Sequence, residues 1–179
     1  MFNQKNTTII ANKYRLLNQI GEGAFGKVYR GENIRTRELV ACKLEPEALD
    51  IKLLKNETKA YLLLAKESGF PRIKWYGIHD LHFYMVIDFL GESLKNTVSN
   101  TDSSFTLVEV LKLGIQMIQR IQSVHSVGLI HRDIKPDNFL FGKTMKNLKM
   151  LYLVDFGLCR GYRQESGEHI PEKTGKTIK

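Results

Sequence analysis

The sequence predicts an α+β chain: an antiparallel sheet carrying one main helix, followed by a mainly helical portion. Three observations predict it. Alternation recurs in short runs through residues 14–44, as expected of strands, and residues 73–78 and 83–87 read as a hairpin. Helical spacing of apolar residues appears at 49–66 and again at 106–127. Between the two regions the apolar run ends in Asp88-Phe89-Leu90-Gly91, the exit that a hinge between two lobes would use.

Residues 1–13 read as a short polar lead-in without the apolar core of a signal peptide. From Tyr14, the residues Leu16, Asn18 and Ile20 alternate up to Gly21-Glu22-Gly23-Ala24-Phe25-Gly26, and Val28-Tyr29-Arg30-Gly31 resume the pattern. Two strands flanking a glycine turn are expected. Glycines there let the backbone approach a phosphate, with successive amides facing its oxygens. The string alone also fits a plain tight hairpin. Dinucleotide-binding folds share it but follow it with a helix, and Lys27-Val28-Tyr29-Arg30 is a strand sequence.

A polar turn at 33–38 leads to Leu39-Val40-Ala41-Cys42-Lys43-Leu44, where alternation sets Ala41 and Lys43 on one face and Cys42 on the other. In the helix at 49–66, Ile51, Leu54, Tyr61 and Leu64 fall roughly along one side. Glu57 falls on or beside that stripe, where an unpaired carboxylate is expensive; pairing with Lys43 would remove the cost. Gly69 and Pro71 end the helix, and residues 73–78 and 83–87 form a hairpin.

A Ser/Thr/Asn-rich loop is expected at 97–104. Thr106-Leu107-Val108-Glu109 has the spacing of a capping box. Leu107, Val110, Leu111, Gly114, Ile118, Ile121 and His125 then carry the helical period to a glycine stop at Gly128. His125 reads as a packed helix-end residue. Phe139-Leu140-Phe141 and residues 150–154 form a second hairpin, ending on Asp155-Phe156-Gly157. Residues 160–179 are polar and basic, without periodicity.

Composition narrows the function. With 42% apolar and 26% charged residues the chain has the make-up of a folded protein rather than a disordered one. No apolar run approaches the roughly 18–20 residues of a membrane span, so no membrane partner is expected. An intracellular location, cytoplasmic or nuclear, is the expectation. Cys42 and Cys159 stand far apart and in no ligand-like pattern, which disfavours a structural metal or a disulfide. Lysine and arginine outnumber the acids 27 to 19, a formal net charge of +8, which favours anionic partners. With no basic block and no aromatic–basic stripe, nucleic acid is not the expected one.

The chemistry concentrates at His131-Arg132-Asp133-Ile134-Lys135-Pro136-Asp137-Asn138. Asp133 can take a hydroxyl proton, Lys135 can neutralise a phosphoryl oxygen, and the Asn138 amide oxygen can ligate a hard cation. Those are the parts of a phosphoryl-transfer site.

Together, the glycine stretch at 21–26 with Val28, Val40-Ala41-Cys42-Lys43, Glu57, His131-Arg132-Asp133 through Asn138, and Asp155-Phe156-Gly157 resemble a eukaryotic protein kinase. More narrowly, Ile87-Asp88-Phe89-Leu90-Gly91-Glu92-Ser93-Leu94, Ile134-Lys135-Pro136-Asp137-Asn138-Phe139-Leu140 and Tyr162-Arg163 with His169-Ile170-Pro171 look like casein kinase 1. The resemblance implies a two-lobe fold: an N-lobe at 14–90 and a partial, mainly helical C-lobe at 91–179. It implies a serine/threonine protein kinase using ATP and Mg²⁺, with acidic or already phosphorylated proteins as substrates. Lys43 would bind the α/β-phosphates and pair with Glu57, Asp133 would be the catalytic base, and Lys135 would steady the γ-phosphate. Asn138 and Asp155 would hold Mg²⁺. Ile20, Gly21, Gly23, Gly26, Val28 and Ala41 would enclose the nucleotide, with Ile87 behind the adenine and the main chain of Asp88 and Leu90 bonding it. Arg132, Arg160 and Lys176 match positions that bind a substrate's anion.

Against the family pattern, the sequence stops within the activation segment. The helix at 106–127 and the hairpin at 139–154 are therefore expected to show uncovered apolar surface, open to a partner. Nucleotide binding is expected to be weak and protein phosphorylation poor or absent. Three readings compete: a casein kinase 1-type enzyme, a catalytically incompetent nucleotide-binding or adaptor module, and a nucleotide-binding protein of another class such as a dehydrogenase. The complete Lys43, Glu57, Asp133, Asn138 and Asp155 set favours the first. The absence of a ribose-binding acid in a β-α-β unit argues against the last.

Overall fold

The computed structural model describes residues 8–23, 26–48, 53–100, 105–164 and 166–171. Alternating sequences pair into one antiparallel sheet of β1 (Ile9–Ile10), β2 (Tyr14–Gly23), β3 (Gly26–Asn33), β4 (Leu39–Pro46), β5 (Ile73–His79) and β6 (His82–Asp88), in the order β1-β2-β3-β4-β6-β5. β1 lies inside the stretch read as a polar lead-in. Ile9 pairs with Arg15, Ile10 pairs with Tyr14, and Ile10 is fully buried. Burying one isoleucine contributes about 1.5–3 kcal/mol, enough to hold a two-residue edge strand amid polar neighbours.

The pairing of β2 with β3 continues to Gly23 opposite Gly26. The glycine stretch thus extends the pairing of the two strands, and Ala24 and Phe25 lie outside the described residues. Gly26 has φ +153°, and a Cβ there would overlap the Leu44 carbonyl; no other residue fits. At the far end of the sheet, Asp80 and Leu81 both adopt left-handed backbone (φ 44° and 59°). This is the geometry of a type I′ turn, whose twist matches the strands it joins.

The helix expected at 49–66 is seen as α1 (Leu53–Leu63); residues 49–52 lie outside the described residues. The buried carboxylate of Glu45 on β4 accepts hydrogen bonds from the amides of Leu53 (3.1 Å) and Leu54 (3.2 Å). Two apolar clusters result. One joins Leu54 and Tyr61 of α1, and Leu64 just beyond it, to Met85 and Ile87 of the sheet and onward to Phe139, Leu151, Leu153 and Phe156. The other covers the opposite face of the sheet, where Ile10, Tyr14, Val40, Cys42, Tyr84 and Val86 pack with Trp75.

Residues 97–100, expected to be loop, belong to α2 (Leu94–Asn100). Ser93 starts that helix: its hydroxyl accepts from the Asn96 amide at 3.1 Å, and its carbonyl accepts from the Thr97 hydroxyl at 3.0 Å. A serine cap outweighs the poor helix propensity of the Ser and Asn that follow. The capping box at α3 (Leu107–Ser126) is present, with the Glu109 amide donating to Thr106 Oγ1 and the Thr106 amide donating to Glu109 Oε2. Gly128 follows the helix with φ +77°. His125 packs its ring edge-on to Tyr162, and its carbonyl accepts the Tyr162 hydroxyl.

The packed face of α3 is not the stripe expected from the sequence. Leu113, Met117, Arg120 and Val124 face the second hairpin, formed by β8 (Phe139–Phe141) and β9 (Leu151–Leu153), while Leu107, Val110, Leu111 and Ile118 are exposed. The helix is apolar on two sides, and the hairpin reaches only one of them. Met145 and Leu148 of the hairpin loop are exposed as well, so the expected uncovered apolar surface is present. Within the terminal stretch read as polar, basic and without periodicity, β10 (Arg160–Gly161) pairs with β7 (Leu129–Ile130). Among the described residues, no helix is long and apolar enough to cross a membrane.

Candidate active site

A cleft of about 700 Å³ opens between the sheet and the second hairpin. Ile20, Gly21, Gly26 and Val28 line it from β2 and β3. Ala41, Ile87, Asp88 and Leu90 line its back, with Ala41 directly opposite Ile87 in the sheet register. Lys43, Glu57, Lys135, Asn138 and Asp155 supply its polar wall. Gly23 sits on the same hairpin as Gly21, paired with Gly26. Lys176 lies outside the described residues.

Strand alternation turns Lys43 to the same face as Ala41, and α1 delivers Glu57 to meet it. Lys43 Nζ stands 2.6 Å from Glu57 Oε2 and 3.1 Å from Asp155 Oδ1. The Glu57 side chain is 3% exposed, and removing one partner of so buried a pair costs about 3–5 kcal/mol. Burial alone would lower the Lys43 pKa, but the Glu57 and Asp155 carboxylates outweigh it and hold the ammonium above the ordinary lysine range. Lys43 therefore presents a fixed positive charge to the cleft.

The loop at 131–138 is held by its own side chains. His131 is buried, with Nε2 3.0 Å from the Val154 carbonyl, while Nδ1 lies 3.2 Å from the Asp133 amide, which donates to it. One nitrogen must donate and the other accept, so the ring is the neutral Nε2–H tautomer. Burial lowers the His131 pKa, in keeping with that state. Pro136 opens a 3₁₀ turn, Pro136–Asn138, that brings Asn138 back under Asp133. Asn138 Nδ2 donates to the Asp133 carbonyl (2.8 Å) and to its Oδ2 (3.0 Å), and Lys135 Nζ donates to the same Oδ2 at 2.7 Å. The Lys135 bond, with help from Asn138, keeps the Asp133 carboxyl below the ordinary aspartate range.

Arg132 and Asp155 bracket this arrangement with left-handed backbone, φ 68° and 67°. Non-glycine residues adopt it at a cost of order 1–3 kcal/mol, and only where surrounding contacts enforce it. Arg132 is held by its Nε bond to the Leu158 carbonyl (2.6 Å). The Asp155 amide donates to Tyr61 Oη (3.2 Å), and Phe156 is fully buried against Tyr61, Phe70 and His131. Arg160 is exposed on β10, opposite Ile130, which precedes Arg132 by two residues in sequence.

With its amide nitrogen bonded to Asp133, Asn138 offers its carbonyl oxygen as a ligand, and Asp155 offers carboxylate. Two hard oxygen donors in a cleft that carries cationic side chains fit Mg²⁺ together with a nucleotide's phosphates. Sequence reasoning missed Tyr61, Leu140 and Val154, all of which line the cleft. Tyr61 was within reach of inspection, one helical turn beyond Glu57. The other two gave no signal, because Leu140 lies in a three-residue strand and Val154 just beyond another, each too short for a period.

Residues 14–176 match the protein kinase domain family. Casein kinase I homolog 2 of Schizosaccharomyces pombe is 37% identical over 174 residues, which cover 96% of this chain and 40% of that protein. Casein kinase I homolog 1 of the same yeast is 38% identical over 172 residues, 95% of this chain and 39% of the relative. The chain spans about two-fifths of the length of the curated relatives it matches.

Proposed function

The chain belongs to the protein kinase family, and from that premise we propose that it transfers the γ-phosphoryl group of ATP to serine or threonine hydroxyls of proteins, as a casein kinase 1 does. One observation carries the proposal: Lys43 bonded to both Glu57 and Asp155, facing across one cleft Lys135 and Asn138, which both bond the Asp133 carboxylate.

Phosphoryl transfer leaves the protein chiefly positioning and charge neutralisation to perform. Lys43 holds the α/β-phosphates, its charge fixed by two carboxylates. Lys135 neutralises charge on the γ-phosphoryl oxygens. Asp133, ionised at neutral pH, orients the substrate hydroxyl and accepts its proton late, as suits a carboxylate of lowered basicity. Asn138 and Asp155 hold Mg²⁺, which when bound neutralises phosphate charge. Ala41 and Ile87 leave a flat apolar slot for the base, against the Asp88 and Leu90 main chain. Arg132, Arg160 and Lys176 receive an acidic or phosphorylated segment of the substrate, and the reading implies an intracellular protein.

The test is transfer of radiolabelled phosphate from ATP to casein or an acidic peptide, beside an Asp133→Asn variant. Turnover should drop by roughly 10²-fold or more in the variant; equal labelling would remove the catalytic reading. The exposed Leu107, Val110, Leu111 and Ile118 face of α3 favours a second reading, a non-catalytic module that binds nucleotide and a protein partner. A thermal shift with ATP and Mg²⁺ but no turnover would select it.

A further inference from the structure

We propose that Arg120 is a positioning residue for the reaction, tying the segment after α1 to β9 so that Glu57 and Asp155 both stay within reach of Lys43. This rests on the kinase reading above.

Arg120 lies deep in α3 and is only 6% exposed. Its partners are carbonyls remote in sequence. Nε donates to Leu151 O at 3.1 Å, and Nη1 donates to Ser68 O at 2.7 Å, with the Ser68 hydroxyl at 3.4 Å. A buried cation is costly, and an apolar residue of similar size would often serve stability as well or better. What a guanidinium adds is direction: several donors in a rigid fork. Gly69 closes over that fork with φ +82°, and a Cβ there would overlap the guanidinium. From the other side, the Gly69 carbonyl accepts the Leu153 amide at 3.0 Å.

The tie joins the two segments that lead to the carboxylates. Upstream of Ser68 is α1, with Glu57 and Tyr61; immediately beyond Leu153 come Val154 and Asp155. Tyr61 Oη on the Asp155 amide and Phe70 against Phe156 belong to the same seam. Loosening it would let α1 drift from β9, and displacements near 1 Å at a catalytic group can cost about 10²-fold in rate.

Arg120→Lys keeps the charge and loses the fork; Gly69→Ala displaces the guanidinium from the opposite side. Hydrogen exchange should quicken at 53–63 and 151–155 in both variants while β2 and β3 keep their protection. With ATP and casein, kcat should fall about tenfold or more with the KM for ATP nearly unchanged. Glu57→Gln should then cost less in the Arg120→Lys background than in the unaltered chain. Faster exchange throughout the chain, with the full Glu57→Gln penalty retained, would reduce Arg120 to a stability residue and overturn the proposal. If the unaltered chain turns over no ATP, the kinase reading fails while the exchange pattern still decides the tie. Should neither variant fold, exchange of the unaltered chain in mild denaturant decides: one shared opening of α1 and the Leu153 amide supports the tie, and separate openings overturn it.

Discussion

Among single residues, His131 links the architecture to pH. Its neutral ring donates to Val154 and accepts from the Asp133 amide, so protonating Nδ1 destroys an acceptor that the 131–138 loop uses. Burial holds its folded pKa below the ordinary 6.5. Between those two values the unfolded chain binds more protons, so stability rises with pH there. The contribution is complete above about 6.5 and is lost as pH falls through the folded value. Thermal melts from pH 7.5 to 5.5 should therefore decline, and His131→Asn should flatten the slope; parallel slopes would refute the assignment. The Lys43–Glu57 pair was legible in the sequence because a carboxylate on an apolar stripe demands a partner. The roles of His131 and Tyr61 were not, since each acts on a backbone group that only the fold brings near.

The element that matters most to the cleft is α1, and β4 holds it at two points. Lys43 bonds Glu57, and two residues along the same strand Glu45 accepts the Leu53 and Leu54 amides. Glu45→Ala should destabilise the chain by about 1–3 kcal/mol, because one buried and one half-buried amide lose a charged acceptor, and Glu45→Gln should cost clearly less. Denaturant titrations give both numbers, and an Ala variant as stable as the original would show that water replaces the cap. Helices with a strong cap or period were readable from sequence, as α3 shows. α2 was not, because its composition reads as loop and only the Ser93 contacts overrule it. β1 was hidden for a similar reason: two isoleucines in a polar stretch show no period. The face of α3 was misjudged because a helix with two apolar stripes does not say which one its neighbour takes.

For the whole molecule, the two apolar clusters do not divide along the lobes. One runs through the sheet, α1 and the second hairpin, whereas the other is confined to the outer face of the sheet. Beside them lies the uncovered side of α3, with Leu107 73% and Ile118 68% exposed. A solvatochromic hydrophobic dye should brighten with the native chain, and Leu111→Lys with Ile118→Lys should abolish the effect while leaving the thermal shift by ATP and Mg²⁺ intact. An unchanged dye signal would place the apolar surface elsewhere. The chain's single tryptophan, Trp75, packs in the outer cluster of the sheet. Its emission therefore reports on the upper lobe, whereas far-ultraviolet dichroism is weighted toward the long helix of the lower one. Recorded on the same sample, the two spectra make the lobes separately visible: coincident curves mean that they melt as one body, and divergent curves give the order in which they let go.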